Sequence, residues 1–368
     1  MKKTLLAQSP WVLRVRTLLI RLPKNITMNR FWIVWGGRLY LKQHPPGSEG
    51  DTAGKSAMTA VSSLLSFYVL WSDWLLRRSN FSSKDQAVVI PGLGRLGNAA
   101  RRLANGLAVA SALHFDHVIV PEQAILERSI FREGHHVLSQ ATLWYGKIST
   151  IATPRVRRLG LADLLGPVPV GAGLDENSRD AIWPDLSSLL KEKPHADAFS
   201  ESTIVIHLRG GDVFGKRKPP SYGQPPLGFY EKILRTGRWK SAVIVHQDHS
   251  NPVLTELMKL CDELAIVATS SSGALSEDLP VLMRARNLVV ARGSFGSAVA
   301  GLSQHVRNVY FFEDKFHLDF KPQSVRLHRV VDTTGTFRSE VLSSNWVGSP
   351  RQYELMMTYG AENLAFDL

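Results

Sequence analysis

Apolar and polar positions along the chain fall into two regimes that meet near residue 85. From there on, short runs dominated by Val, Ile and Leu alternate with longer stretches in which apolar residues recur every three or four positions. The short runs read as strands, because β-branched residues dominate them and Gly, Pro or polar residues bound them. They are Gln86–Ile90, His117–Pro121, Thr203–His207, Ser241–Val245, Leu264–Val267, Asn287–Ala291 and Asn308–Phe312. Helical spacing falls over Gly97–Leu113, Gly228–Arg235, Pro252–Cys261, Asp278–Arg286 and Ser297–His305. Near-continuous apolar strands separated by helices predict parallel sheets covered on both faces. Residues 122–200 follow neither period, with Trp144, Trp183 and several Gly/Pro breaks among them.

The polar stretch Lys191–Ser202 separates two such β/α series and marks the expected linker. The expectation is therefore an α/β chain of two Rossmann-like domains facing a cleft, at 85–200 and 201–340, with 341–368 as a C-terminal helix or tail. A length of 368 residues with 44% apolar composition is enough for two cores. The lone Cys261 excludes an internal disulfide and a cysteine-built zinc or iron–sulfur site.

The net charge of +12 is concentrated at one end: residues 1–80 hold 12 Lys/Arg against 3 Asp/Glu, and the remaining 288 hold 32 against 29. A basic segment on a nearly neutral body suits an anionic membrane or a partner, and no basic stripe with interleaved aromatics recurs in the body to suggest nucleic acid. Segment 1–84 carries Trp11, Trp32, Trp35, Trp71 and Trp74, and the break His44–Asp51. No apolar run long enough for a secretory signal follows Met1, because Arg14, Arg16 and Arg21 interrupt it. Within 56–76, the 17 residues Ser56–Ser72 are uncharged, then Asp73 precedes Trp74 and Arg77-Arg78. Spanning a bilayer takes about 20 apolar residues, so a buried helix and a membrane anchor or surface helix both stay open. A span would put the basic end in the cytosol and the body in the lumen, as in a type II Golgi protein, with Asn80-Phe-Ser82 as an available sequon. A bacterial protein peripheral to the cytoplasmic membrane is the other arrangement.

Two turns carry candidate chemistry. Gly92-Leu-Gly94-Arg-Leu-Gly97 follows the first strand and opens a helix, with Glu122 at the end of the next strand. That is the context in which G-x-G-x-x-G binds a dinucleotide, so an NAD(P)-dependent oxidoreductase is one reading, although a tight turn bringing helix close to strand needs no ligand. His207-Leu-Arg209-Gly-Gly211-Asp212 follows the strand at 203. It delivers a cation and a carboxylate at the C-terminal edge of a parallel strand, where open α/β sheets bind ligands. Arg209 can make a forked contact with a diphosphate that Lys cannot reproduce.

The second turn resembles the H-x-R-x-G-D motif of the GT-B fucosyltransferases, the group of α-1,2, α-1,6 and protein O-fucosyltransferases. Gly94-Arg-Leu-Gly97-Asn98 is similar to the G-G-L-G-N turn of the α-1,2 enzymes. Val245-His-Gln-Asp248 stands at the place of their strand ending in S-D-D. Asp278-Leu-Pro-Val-Leu-Met283 followed by Ala291-Arg-Gly-Ser294-Phe295-Gly-Ser297 resembles their D-x-x-x-M run leading to N-S-S-F-S-W-W. The likeness covers residues 86–312 in four short blocks. It departs at Gly210, where a second arginine is usual, at Gly296 and the small residues after it, and at Tyr222–Tyr230, which has no counterpart in the α-1,2 enzymes.

The resemblance implies inverting, metal-independent transfer of a hexose such as fucose from a GDP-sugar to a glycan or protein acceptor. It implies donor binding by Arg209, Asp248, Asp278, Ser294, Phe295, Gly296, Gly94, Gly97 and Asn98. Catalytic roles fall on Arg209, Asp212 and His207. Arg209 would neutralise the departing diphosphate and Asp212 would take the acceptor proton. Glu133, His135 and His136 are alternative bases. The chain has no D-x-D, the usual metal-holding motif for a sugar diphosphate, and no metal or cofactor is expected. His246-Gln-Asp248-His249 reads as hydrogen-bonded turn residues before a metal set. A catalytically inactive GT-B-like binding module is a third reading, with Gly210 as its support.

Overall fold

A computed structural model describes residues 86–90, 93–112, 115–121, 130–139, 141–146, 157–160, 176–191, 197–216, 218–237, 239–313, 325–343 and 345–367. The segment 1–84, its membrane candidate at 56–76, Gly92 and Glu122 lie outside them. Among the described residues no helix is long and apolar enough to cross a membrane.

The chain is α/β and built on two mostly parallel sheets. The first holds β1 (Gln86–Val89), β2 (His117–Pro121), β3 (Gly134–Val137), β4 (Thr142–Gly146) and β5 (Arg157–Gly160), in the order β3-β4-β2-β1-β5. Only β3 runs antiparallel to its neighbour. Helix α1 (Leu96–Ala112) leaves the turn after β1, and its Leu96, Ala99, Ala100, Leu103, Leu107 and Ala110 form one fully buried stripe. That stripe joins Val88, Val118 and Val120 in one apolar cluster, the pairing of a 3.6-residue and a 2-residue period that the sequence shows.

The second sheet holds β6 (Thr203–Leu208), β7 (Ser241–His246), β8 (Val267–Ser271), β9 (Asn287–Val289), β10 (Asn308–Phe312), β11 (Arg326–Asp332) and β12 (Leu364–Asp367). Their order is β12-β11-β10-β9-β6-β7-β8, parallel except for β12. Helices α3 (Leu227–Thr236), α4 (Val253–Glu263) and α7 (Pro350–Thr358) join Ile204, Ile206 and Leu208 in a cluster on one face. Helices α5 (Leu275–Met283) and α6 (Ser294–Leu302) share the other cluster with Val205 and Leu288. Burial on both faces explains why β6 reads as an unbroken apolar run.

The cluster under α5 and α6 does not stop at the sheet. It runs without a break into α1 and into α2 (Glu176–Ser188) of the first unit. Trp183 of α2 lies on Gly301 of α6, where an added Cβ would fall 2.6 Å from the indole.

Several boundaries differ from the pattern. Leu264–Val267 is not a strand: α4 runs to Glu263, Ala265 turns at φ 55°, and Leu264 and Ile266 are apolar because they pack beneath the connection. The strand there, β8, begins at Val267 and is polar because it is an edge strand. The helices expected at Asp278 and Ser297 begin three residues earlier, at Leu275 and Ser294. The segment 341–368 holds α7 and β12, and its Trp346 is fully buried and donates through Nε1 to the Val213 carbonyl at 2.8 Å.

Candidate functional site

Each sheet has one place where successive strands depart in opposite directions. In the second sheet β6 leads to β7 and β8 on one side, and the chain returns to place β9 on the other. In the first, β1 has β2 on one side and β5 on the other. Open α/β sheets bind ligands at such switch points, outside the C-terminal strand ends. The turn after β6 carries Arg209 and Asp212, and the turn after β9 carries Arg292, Gly293 and Ser294, so the two most specific sequence blocks meet at one switch point.

Arg209 is largely covered, with 19% of its side chain exposed. Its Nη2 donates to the Asp212 carboxylate at 3.3 and 3.4 Å, and its Nη1 to the Arg292 carbonyl at 3.4 Å. The guanidinium carbon lies 4.5 Å from the centre of the Tyr222 ring. At the Nη1 end of the fork stands Gly293, φ 134°, where an added Cβ would fall 2.6 Å from Nη1. Glycine is required there twice over, by backbone conformation and by space.

The two units meet at this point. Arg95, from the turn after β1, donates through Nη1 to Asp212 Oδ2 at 3.0 Å, so one carboxylate lies between two guanidiniums from different units. The Ser294 hydroxyl, first residue of α6, donates to Asn98 Oδ1 of α1 at 2.9 Å. An added Cβ on Gly97 would fall 2.6 Å from the Ser294 carbonyl carbon and 2.7 Å from the Phe295 nitrogen. Gly97 is thus a packing glycine between two helix N-termini, and its presence in G-x-G-x-x-G needs no dinucleotide. Gly94, φ 78°, sits over the Arg102 guanidinium, which donates to the Leu93 carbonyl at 2.8 Å. Both helices turn the positive end of their dipole toward this junction.

His207 packs against Phe295 with ring centres 4.7 Å apart, and its Nδ1 is buried without a hydrogen-bond partner among the described residues. Burial first, and then the charge of Arg209, pushes its pKa down from 6.5 to about 3, so the ring is neutral through the physiological range. Gly296 is placed for packing: an added Cβ would fall 2.6 Å from Val290 Cβ.

Asp248 lies on the far side of the β6 turn and fills the space beside Gly210. A Cβ at 210 would fall 2.3 Å from Asp248 Oδ1. Burial alone would raise the Asp248 pKa, but hydrogen bonds from the Ser250 hydroxyl, the Ser250 amide and the Gly211 amide, with His246 nearby, hold it below the usual carboxylate range. The missing second arginine therefore has a structural partner: a carboxylate stands where its side chain would start.

Asp278, on α5, is buried, and its Oδ1 accepts from Ser271 Oγ at 3.3 Å and the Gly273 amide at 3.2 Å. Burial raises its pKa against those bonds. His246 is buried, with Nδ1 3.1 Å from the Asp248 carbonyl oxygen, and its ring centre lies 5.0 Å from that of His249. Among the described residues no group of three or more His, Cys, Asp or Glu is arranged to hold a metal.

The alternative bases lie elsewhere. His135 and His136 are on β3 and Glu133 precedes it, at the edge of the first sheet farthest from β5. Three strand spacings separate β3 from β1, about 14 Å at about 4.8 Å each, and no hydrogen bond links Glu133, His135 or His136 to Arg209 among the described residues. His135 instead stacks on Trp144 with ring centres 4.2 Å apart.

No family profile and no characterised protein sequence matches the chain. Among solved structures, the crystal structure of POFUT1 in complex with GDP aligns over 63% of this chain and 99% of its own length, at 15% identity and a TM-score of 0.34. The E. coli ADP-heptose lps heptosyltransferase II aligns over 66% of this chain and 89% of its own, at 12% identity and a TM-score of 0.33. The dodecameric iron-containing heptosyltransferase TibC in complex with ADP-D-β-D-heptose aligns over 77% and 75%, at 11% identity and a TM-score of 0.39. Superpositions this loose carry no argument about ligand or activity.

The chain's own geometry brings Arg209, Asp212, His207, Ser294, Phe295, Gly97 and Asn98 to one junction, with Asp248 and Asp278 at the ends of the neighbouring strands and helix. Sequence reading missed Arg95 and Tyr222 as members. Arg95 was visible inside G-x-G-x-x-G but has no role in that motif, and Tyr222 sits in a stretch without strand or helix period. Chemically, the junction offers two guanidiniums and two helix N-termini to an anion, and one carboxylate to a proton.

Proposed function

We propose that the protein is an inverting, metal-independent glycosyltransferase of the GT-B kind that transfers fucose from GDP-fucose to a glycan or protein acceptor. The observation that carries the reading is the switch-point position of Arg209. Among the described residues its guanidinium makes hydrogen bonds of 3.3–3.4 Å, while charge-assisted bonds to a proper anionic partner close to about 2.7–2.9 Å. Beside it lies the N-terminus of α6. A donor diphosphate satisfies both.

In the transfer, the acceptor hydroxyl oxygen attacks the anomeric carbon and the bond from that carbon to the diphosphate breaks. The electron pair leaves on the β-phosphate oxygen, where Arg209 and the first amides of α6 stabilise it. The hydroxyl proton passes to Asp212. Asp212 now lies between Arg95 and Arg209, and a diphosphate that takes Arg209 frees it on that side. Asp278, with one oxygen engaged by Ser271 and Gly273, suits the N–H donors of a guanine edge. Neutral His207 packs beside Phe295 and keeps a second positive charge from opposing Arg209. The absence of D-x-D supports the metal-independent form. The excess of 12 Lys/Arg over 3 Asp/Glu in residues 1–80 supports a location at a membrane surface.

Calorimetry and thermal melting of the full chain with GDP, GDP-fucose, ADP and NAD(P), with and without Mg²⁺, test this. At about 100 times its dissociation constant a ligand adds about 2.7 kcal/mol. The expected result is stabilisation by GDP without Mg²⁺, abolished by Arg209→Ala and weakened relative to ADP by Asp278→Asn. Stabilisation by NAD(P) that survives Arg209→Ala overturns the reading.

A further inference from the structure

We propose that Tyr222 is a positioning residue for Arg209, and that the segment Tyr222–Gln224 is built to hold its ring in place; the inference rests on Arg209 serving a diphosphate. Arg209 needs something other than its hydrogen bonds to hold it. Its three hydrogen bonds, two to Asp212 and one to the Arg292 carbonyl, lie at 3.3–3.4 Å, beyond the usual range of about 2.7–3.2 Å for N–H···O bonds. What covers the guanidinium is an aromatic face. The Tyr222 ring lies 4.5 Å from its carbon, and the Gly293 backbone meets the Nη1 end of the fork. A Cβ on Gly293 would touch both members, at 2.6 Å from Arg209 Nη1 and 3.8 Å from Tyr222 Cε1. Stacking fixes the plane of the fork and leaves its N–H edges free to turn to a phosphate.

The ring is held in its turn by its own backbone. The Tyr222 amide donates to the Pro219 carbonyl at 3.1 Å, and the Tyr222 carbonyl accepts from Gln224 Nε2 at 2.9 Å. Gln224 is fully buried, and its Oε1 has no partner among the described residues. The amide is thus oriented with Nε2 toward Tyr222. The Gly223 carbonyl accepts from Arg292 Nη1 at 3.0 Å, and Gly223 is packed so tightly that a Cβ would fall 2.3 Å from the Val341 carbonyl oxygen. Arg292 thus ties the turn after β9 to the plate that faces Arg209.

The test measures binding of GDP and of inorganic pyrophosphate by calorimetry to the full chain and to two variants. Tyr222→Leu, which removes the ring, weakens both ligands about tenfold, the scale of a partly desolvated cation–π contact, and leaves the melting temperature within a few degrees. Tyr222→Phe restores the wild-type constants, because the ring and not the hydroxyl does the positioning. Wild-type binding that Tyr222→Leu leaves unchanged overturns the inference alone. A Tyr222→Phe variant as weak as Tyr222→Leu also overturns it, by assigning the effect to the hydroxyl. Absence of binding to the wild type overturns the donor-site reading and this inference with it.

Discussion

Gly97→Ala is the most discriminating perturbation of the junction, because two opposite effects compete at that position and the structure decides between them. Alanine in place of glycine within a helix gains at most about 1 kcal/mol from propensity. Against this, the new methyl would stand 2.6 Å from the Ser294 carbonyl carbon, 2.6 Å from its hydroxyl and 2.7 Å from the Phe295 nitrogen. Two of these are backbone atoms at the start of α6, so no side-chain rotation relieves the overlap and the helices must part. Overpacking of this kind costs about 1–3 kcal/mol. The net expectation is a loss of about 1–2 kcal/mol, a fall of several degrees in melting temperature for a body of this size. GDP affinity falls with it, because the α6 N-terminus moves away from Arg209. The control is Gly106→Ala in the same helix. Its methyl would fall 2.6 Å from Ile90 Cδ1 and 3.3 Å from Cγ1, the flexible end of a side chain that can turn aside. It should be near neutral in stability and unaltered in GDP binding. A Gly97→Ala protein that melts at or above the wild type with unchanged GDP affinity refutes the reasoning, as does a Gly106→Ala protein that falls equally far.

Two further expectations follow from the site. His207 has a folded pKa of about 3 against 6.5 unfolded, so between those values the unfolded state binds the extra proton and stability rises with pH, by up to about 1.4 kcal/mol per unit. Above 6.5 this dependence vanishes; His207→Gln flattens it, and equal slopes of denaturant midpoint against pH in the two proteins would sink the assignment. Gly210→Arg, which restores the arginine pair that H-x-R-R would have, destabilises by about 1–3 kcal/mol, because the clash begins at Cβ, 2.3 Å from Asp248 Oδ1. In a double-mutant cycle Asp248→Ala recovers part of that loss, and additivity of the two substitutions would show that Asp248 is not what excludes the side chain.

What could be read in the sequence was what repeats a simple period. His117–Pro121 and Asn308–Phe312 coincide with β2 and β10, because each is a short apolar run between clear breaks. The run at Leu264 failed for the opposite reason: burial beneath a helix end makes the same apolar pattern as a strand, and only the positive φ at Ala265 separates them. Helix α7 had a legible start that went unused. Ser349 caps it, accepting from the Gln352 amide at 3.2 Å with Pro350 at the first helical position, a capping box in sequence order. Of the site, Arg209, Asp212 and Ser294 were legible because each sits in a turn directly after a strand. Tyr222 and Arg95 were not, since stacking and cross-unit ion pairing leave no spacing in the chain. Glu133, His135 and His136 looked chemically apt, but only strand order could show that β3 lies at the far edge.

The unbroken apolar cluster from α1 and α2 into α5 and α6 constrains how this protein can be engineered. Exchanging one sheet with its helices between related chains assumes a seam that can be cut. Here a cut near residue 200 would pass through close-packed interior, leaving Trp183 without the Gly301 surface it rests on. A chimera that keeps its stability must carry α1, α2, α5 and α6 as one inherited block and place its junctions in the polar turns.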